Sequence, residues 1–489
     1  MEHHEHPRYH NPRRKQRSKM QIFKEAYLPM IIVAVAFVML LVFIIGGIRG
    51  KSKDEGDGAS NSIQLIDPST SGSTAPSDIT STAPTPSADP ALEAEAEDLM
   101  AQAALLIPDY DYAGALAILD TFSGEREAYP ALQAIYDEYS ARLAEMVPWT
   151  GDQVQNLSMH LLIADPERAF HDPTYGYPGR KSYLNNFITI TEFSAILQQL
   201  YDNGYILVSL SDLYELQPDA SSGRDVYVAK TLLLPPGKTP ILLTETNANY
   251  YTYMTDSNGN GKPDAEADGF AYKLCYGENG FYNEIVLADG TVTTGNYDIV
   301  PLLEAFIASH PDFSFRNARA IIAVTGYDGV LGYRINSAKL TEAEKQVERD
   351  ALAALVEKLR ETGYDIACFT YDNLNYGEED AAKILKDLQN WKTHIEPIIG
   401  KTDIIVLPKE GDIAGTESYN DNAKFNIIYD FNFRFFLGSG TESWHQVDNR
   451  YVRHNRLMVT GAYLRKYPER FAGIFDAATV LDPYRDEFT

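Results

Sequence analysis

Cysteine is scarce in this chain: Cys275 and Cys368 are the two in 489 residues. Two thiols cannot build a disulfide framework; they form either one bridge or two free thiols. Basic residues are scarce beyond the N-terminus. The chain carries −27 overall and residues 1–53 carry +7, which leaves −34 for residues 54–489. So acidic a body is repelled by a phosphate backbone, and a nucleic-acid partner is excluded on that ground. No Ser-His-Asp or Cys-His arrangement has motif support, and Cys368 reads as buried filler rather than as a nucleophile. Long uncharged apolar runs are also missing, with one exception.

That exception is Ala26 to Ile48, almost wholly apolar and uncharged. A helix of this length spans a hydrocarbon core of about 30 Å. No small-residue cleavage motif follows Gly47, so the run reads as an anchor rather than a removed signal peptide. Seven Lys/Arg precede the run and three follow it. The positive-inside bias therefore places the N-terminus in the cytoplasm and the main body outside the cell membrane, which the chain crosses once. The resulting organisation is a basic cytoplasmic tail (1–25), a transmembrane helix (26–48), a Ser/Thr/Pro-rich linker (49–90), a helical hairpin (91–148) and one large domain (150–489). The linker has little to bury and reads as a disordered spacer. The hairpin shows apolar residues at helical spacing, with Pro108 interrupting the run and Pro130 opening a second helix.

In the large domain, strand-like runs alternate with helical ones. Strands are expected at Asn156–Ile163, Ile206–Leu210, Pro240–Thr244, Ala320–Thr325, Asp365–Thr370 and Asp403–Leu407. Helices are expected at Thr191–Asn203, Ile299–Ser309, Thr341–Thr362 and Glu378–Ile399. This is the α/β pattern of a mainly parallel sheet with right-handed crossovers. Several strand ends run into polar or aromatic clusters: 244–247, 325–328, 369–373 and 408–412. In α/β barrels the site is built at the C-terminal strand ends, so these clusters are expected to ring one mouth.

Six segments, in order, resemble polysaccharide deacetylases of the NodB-homology type. They are MHLLIADPERAF (159–170), ITITEFSAILQQLYDNGYILVSLSDLY (188–214), PILLTETNANYY (240–251), AIIAVTGYDGVLGYR (320–334), LRETGYDIACFTYDN (359–373) and EPIIGKTDIIVLPKEGDI (396–413). The resemblance covers Asn156 to the C-terminus and implies a distorted (β/α) barrel. It also implies hydrolysis of N-acetyl groups on a divalent metal, usually zinc, held by one Asp and two His, with a second Asp as base. The metal lowers the pKa of its water and the carboxylate takes the proton.

This sequence departs from that set at every position. The base position is Thr246, the metal-Asp position Asn247, and the two His positions Phe369 and Asn373. The three protein ligands that zinc needs are absent from these positions, so zinc is not expected there. Residues that would have to stand in near the mouth are His160, Glu245, Asp328 and Asp372. On a strand Glu245 points away from Thr246, and on a loop Asp372 faces solvent as readily as a site.

A second candidate site is DSNGNGKPDAEAD (256–268). Asp256, Asn258, Asn260 and Asp264 at loop positions 1, 3, 5 and 9, with Gly261 at 6, resemble a calcium loop. Ala267 stands where an EF-hand carries Glu, with Glu266 and Asp268 beside it. The plainer reading is a polar turn. Tyrosine is plentiful at 32 residues. Tyr250, Tyr251, Tyr253, Tyr327, Tyr333 and Tyr371 fall near the expected mouth, where rings either stack on sugars or pack the rim.

The expectation is a membrane-anchored, extracytoplasmic deacetylase-like domain, catalytically degenerate, that binds cell-wall glycan or a wall-assembly protein. The alternative is an active metal-dependent polysaccharide or peptidoglycan deacetylase whose metal site has moved.

Overall fold

A computed structural model of the chain describes residues 89–171 and 179–486. The expected tail, transmembrane run and nearly all of the linker lie outside those residues. Among the described residues no helix is long and apolar enough to cross a membrane.

Three helices come first: α1 (Pro90–Ala104), α2 (Tyr112–Leu119) and α3 (Pro130–Glu145). Each start has a local cause. Asp89 caps α1 by accepting from Ala91 N, Asp111 caps α2 by accepting from Gly114 N, and Pro130 opens α3 with the φ it already holds. The three share a small core of Ala96, Ala103, Ala115, Leu119, Leu132 and Tyr139.

The rest is a closed parallel barrel of seven strands: β1 (Gln155–His160), β2 (Thr239–Thr246), β3 (Ile321–Val324), β4 (Asp365–Cys368), β5 (Ile404–Val406), β6 (Phe435–Gly440) and β7 (Tyr451–Met458). Each strand pairs with the next in parallel, and β7 closes the ring on β1. Five of the six expected strands are barrel strands. The sixth is shorter than expected, Tyr205–Leu207, and pairs with Thr239–Ile241 at the start of β2 and through a single bridge with Ser314, outside the ring. It stops because Ser209 N donates to Asp212 Oδ2 at 2.8 Å and a helical turn, Leu210–Leu213, begins. Two ring strands, β6 and β7, were not expected.

The expected crossover helices are α4 (Ile190–Asp202), α5 (Ile299–Ser309), α6 (Glu342–Thr362) and α7 (Ala381–His394). α4 and α6 start on capping boxes, Thr189 with Glu192 and Thr341 with Glu344. α6 ends at Gly363 with φ 110°, where a Cβ would collide with the Asn317 carbonyl.

Strand parity sorts the two faces. Leu157, Met159, Leu243, Ile322, Val324, Ile366, Ile405 and Phe436 face outward into the core shared with the helices. Leu242, Ile321, Ala323, Ala367, Ile404, Val406, Leu437 and Val452 fill the lumen. Burying each large aliphatic side chain contributes about 1.5–3 kcal/mol. With both faces covered, the strands read as near-continuous apolar runs. The lumen is polar on a few strands: Asn156, Ser158 and His160 on β1, Thr244 and Thr246 on β2, Ser439 on β6, and His454 and Arg456 on β7. Thr244 Oγ1 donates to Asn156 Oδ1 at 2.8 Å there.

The C-terminus is fastened by a buried ion pair. Arg485 Nη2 donates to Glu192 Oε2 at 2.8 Å, its Nε also donates to Glu192, and both side chains are fully buried. Thr189 Oγ1 donates to Asp482 Oδ2 at 2.8 Å beside them.

Candidate functional site

A cavity of about 460 Å³ opens at the C-terminal ends of the barrel strands. Its wall includes His160 at the end of β1, Asn247 after β2, Phe369 and Asn373 after β4, Lys409 and Glu410 after β5, Ser439 on β6, Arg456 and Met458 on β7, and Tyr463. This is the end at which α/β barrels carry their sites. The backbone marks the same face. Twelve described non-glycine residues have positive φ, and eight of them lie in loops following β2 to β5: Asn247, Tyr250, Asp328, Leu331, Thr370, Asn373, Lys409 and Glu410. Such conformations cost of order 1–3 kcal/mol each and gather where loops are held for function.

Three of the four positions matched by sequence to the family's base and metal ligands, Asn247, Phe369 and Asn373, meet at this wall with His160. The fourth, Thr246, is fully buried directly beneath. Its hydroxyl donates to Met159 O at 3.1 Å and lies 2.7 Å from His160 Nδ1. A hydroxyl has one proton, so the imidazole donates from Nδ1 and Nε2 remains an acceptor. Burial, joined by the nearby Arg456 charge, outweighs a hydrogen bond to the Thr246 backbone and holds the His160 pKa down to about 4, so the ring is neutral at neutral pH. Asn247 Oδ1 accepts from Tyr251 OH at 2.9 Å. Asn373 Oδ1 is buried with no hydrogen bond, an acceptor that lacks a donor.

The other three residues expected near the mouth do not line this cavity. Glu245 turns away from Thr246, as strand alternation requires, and faces Asp298, the N-cap of α5. Burial, reinforced by the Asp298 charge, raises Glu245 well above the usual carboxylate range, and burial pushes Asp298 up to about 6. Asp298 Oδ1 accepts from Leu162 N and Ile299 N at 2.9 Å. The Tyr250 hydroxyl also hydrogen-bonds to Asp298, and one proton shared between the two facing carboxyls relieves their repulsion. Asp328 accepts from Thr252 N at 2.6 Å and Thr252 Oγ1 at 2.7 Å, which fixes the turn after β2. Asp372 is exposed.

A zinc centre needs about three N, O or S side-chain ligands. The cavity presents one imidazole, whose Nδ1 is engaged, three Asn amides and the single rim carboxylate of Glu410. Among the described residues no three His, Cys, Asp or Glu side chains gather in a metal-holding group. The residues lining the cavity do not fit that metal. The two cysteines are free thiols.

In the 256–264 loop the side-chain oxygens turn inward on their own backbone. Asp256 Oδ1 and Oδ2 accept from Asn260 N (3.0 Å) and Gly261 N (2.6 Å), Asn258 Oδ1 accepts from Asn260 N (3.0 Å), Asn260 Oδ1 from Lys262 N (2.8 Å), and Asp264 Oδ2 from Asn258 N (3.1 Å). The Lys339 ammonium lies 3.5 Å from Asp256 Oδ2 and 2.7 Å from Gly259 O, as a cation within the loop.

The tyrosines divide. Tyr250, Tyr251 and Tyr333 are buried, Tyr371 is half-buried, and Tyr253 and Tyr327 are exposed. Both exposed rings lie against Tyr251, at centroid distances of 5.5 and 5.4 Å. Tyr251 donates to Asn247, which links this aromatic strip to one residue of the cavity wall. The signal that sequence reading missed is Arg456. Its strand, YVRHNRLM, reads as polar and shows no apolar run.

No family model matches the chain, and no curated protein matches it. Among solved structures it is similar to the Streptococcus pyogenes deacetylase PplD in complex with acetate, at 12% identity and a TM-score of 0.33, over 68% of this chain and 99% of that one. It is also similar to a de-N-acetylase from Aggregatibacter actinomycetemcomitans, at 15% identity and a TM-score of 0.32, over 63% of this chain and 95% of that one. The first of these is named a deacetylase and the second a de-N-acetylase.

Proposed function

We propose that this protein is a membrane-anchored, extracytoplasmic glycan-binding protein built on a deacetylase-like barrel without that family's metal chemistry. One observation carries the reading. The mouth keeps a cavity of about 460 Å³, within the range of ligand sites, while the positions of base and metal ligands hold Thr246, Asn247, Phe369 and Asn373. Neutral polar groups at the wall, an amide oxygen without a donor and two exposed tyrosine rings suit sugar hydroxyls and sugar faces. The apolar run 26–48 supplies the anchor, and cell-wall glycan is the ligand within reach of a domain held outside the membrane. A wall-assembly protein is the other partner this surface would serve.

The test uses the full chain in detergent. Binding of N-acetylated chitin oligomers and peptidoglycan fragments is measured alongside acetate release, with and without chelator. Binding without acetate release is expected. Acetate release that chelator abolishes would overturn the reading and identify an active deacetylase with a relocated metal.

A further inference from the structure

Three described arginines are buried: Arg453, Arg456 and Arg485. Two of them meet a carboxylate. Arg485 is paired with Glu192, and Arg453 Nη2 lies 3.0 Å from Asp412 Oδ2. Arg456, 2% exposed, is bonded to neutral acceptors. Its donors go to Leu437 O (3.2 Å), Leu407 O (3.1 Å), Ser158 Oγ (2.8 Å), Ser439 Oγ (3.2 Å) and, weakly, the thioether Met458 Sδ (3.4 Å), the acceptor a ligand carboxylate would replace. The arginine without a counter-charge is the one in the wall of the mouth cavity.

A buried charge without its opposite costs several kcal/mol, and such a group normally neutralises instead. Arg456 does not neutralise. Burial lowers its pKa only to about 9, so it stays cationic at neutral pH. Its neighbour His160 is neutral and adds no charge. The other charged side chains of the wall are Lys409 and Glu410, both exposed at the rim. The wall therefore carries a single net positive charge, within a chain of net charge −27. A polyanion is kept away by that body, whereas a single anionic group reaching the cavity gains the Arg456 and Lys409 attraction in a low-dielectric surrounding.

We propose that the mouth cavity is a subsite for a sugar bearing one carboxylate, held by Arg456 and Lys409, so that the glycan it takes is acidic. This rests on the glycan-binding reading and narrows it. A monoanion neutralises the wall. A phosphate dianion overshoots it and meets Glu410. The sugar's hydroxyls would supply the donor that Asn373 Oδ1 lacks.

The experiment is calorimetry on the full chain in detergent. Its probes are a glucuronate-containing tetrasaccharide, the same tetrasaccharide with its carboxyls reduced to alcohols, a neutral N-acetylated chitin tetramer, and inorganic phosphate. The acidic tetrasaccharide is expected to bind roughly tenfold or more tightly than its reduced form, with the advantage shrinking as salt is added. Lys409→Ala, at an exposed position, should remove much of that advantage without altering the melting temperature. Arg456→Lys, which keeps the charge, should retain more of it than Arg456→Met. Equal binding of the acidic and reduced forms overturns the carboxylate subsite and leaves glycan binding standing. Binding of phosphate as tight as the acidic tetrasaccharide overturns the sugar-acid assignment. Failure to bind any of the three oligosaccharides overturns both readings.

Discussion

The C-terminal lock and the barrel mouth each bury an arginine, and they handle the charge in opposite ways. At the lock, Arg485 meets Glu192 and also donates to Leu184 O at 2.7 Å and to Phe187 O. The buried guanidinium there has its opposite inside the protein. At the mouth, Arg456 is held by carbonyls and hydroxyls and has an open cavity beside it. The Glu245–Asp298 pair shows a third solution, two like charges brought to one by a shared proton. Depth of burial alone does not separate structure from site; charge balance does. Cavity size does not separate them either. A groove of the same volume, about 460 Å³, lies at the N-terminal strand ends, around Asp365 and Asp403. Cations and acids are mixed there: Arg316, Arg360 and Lys401 with Glu361, Asp365 and Asp403.

The sharpest way to break the contrast is to unpair the lock. Arg485→Ala leaves Glu192 buried without a cation and is expected to cost about 3–5 kcal/mol. Urea denaturation measures this, and a loss below about 1 kcal/mol would mean that the pair is not structural. Glycan binding by the folded variant should be unchanged, because the lock does not line the cavity.

The shared proton gives a pH signature with a fixed sign. The folded pair holds a proton that unfolded carboxyls release near pH 4, so its contribution to stability falls as pH rises through the raised folded pKa values. His160 and His454 work the other way. Their folded pKa values are about 4, so stability is gained between pH 4 and 6.5 as the unfolded imidazoles lose their protons. Above pH 6.5 the histidine effect is complete, so any further loss of stability with rising pH, at most about 1.4 kcal/mol per pH unit, is that of the raised Glu245 carboxyl, and Glu245→Gln should flatten it. Equal slopes for the two proteins would show that no proton is held.

At the mouth, Lys409→Ala should leave the unfolding midpoint within about 0.5 kcal/mol of the parent, as for most surface changes. Any larger shift would make Lys409 part of the framework rather than the ligand surface. The smallest expected effect is in the 256–264 loop. Lys339 supplies a cation to Asp256, a role that calcium could take once the lysine is gone. Millimolar calcium should therefore raise the melting temperature of Lys339→Ala by a degree or two more than that of the parent, for a gain of a few tenths of a kcal/mol. An identical calcium response would remove the loop from consideration as a cation site.

Most of the barrel was legible, and the reason is local. ILLT, IIAV, DIAC and IIV are apolar runs bounded by turn residues, with helices capped by Thr189, Thr341 and Asp380 between them. Strands β6 and β7 were not legible. Gly438, Ser439 and Gly440 break β6, and Arg453, His454, Asn455 and Arg456 give β7 the polarity of a solvated loop. They are strands because neighbours complete their backbone hydrogen bonds, β6 lying between β5 and β7 and β7 pairing with β6, with β1 and with the antiparallel strand His445–Asp448, and because polar partners await their side chains. His454 Nδ1 lies 2.9 Å from Tyr214 OH, and its Nε2 lies 3.0 Å from Val154 O. Those partners are about 240 and 300 residues away in sequence.

The candidate site divides the same way. The convergence of His160, Asn247, Phe369 and Asn373 was legible because each sits at the end of a readable strand. The displacement of Asp328 to the Thr252 turn and the inward capture of the 256–264 oxygens were not, because both depend on which donors the folded loops bring near.

The sequence by itself determined the alternation of strands and helices, the four replaced positions and the strong acidity of the body. These follow from residue type and spacing along the chain. The tertiary structure decided which buried charges are balanced. Glu192 and Arg485 are 293 residues apart, and Arg456 and Ser158 are 298 apart. Whether a buried cation finds a carboxylate or an open cavity depends on closure of the ring, because the field at a side chain comes from neighbours in space rather than in sequence.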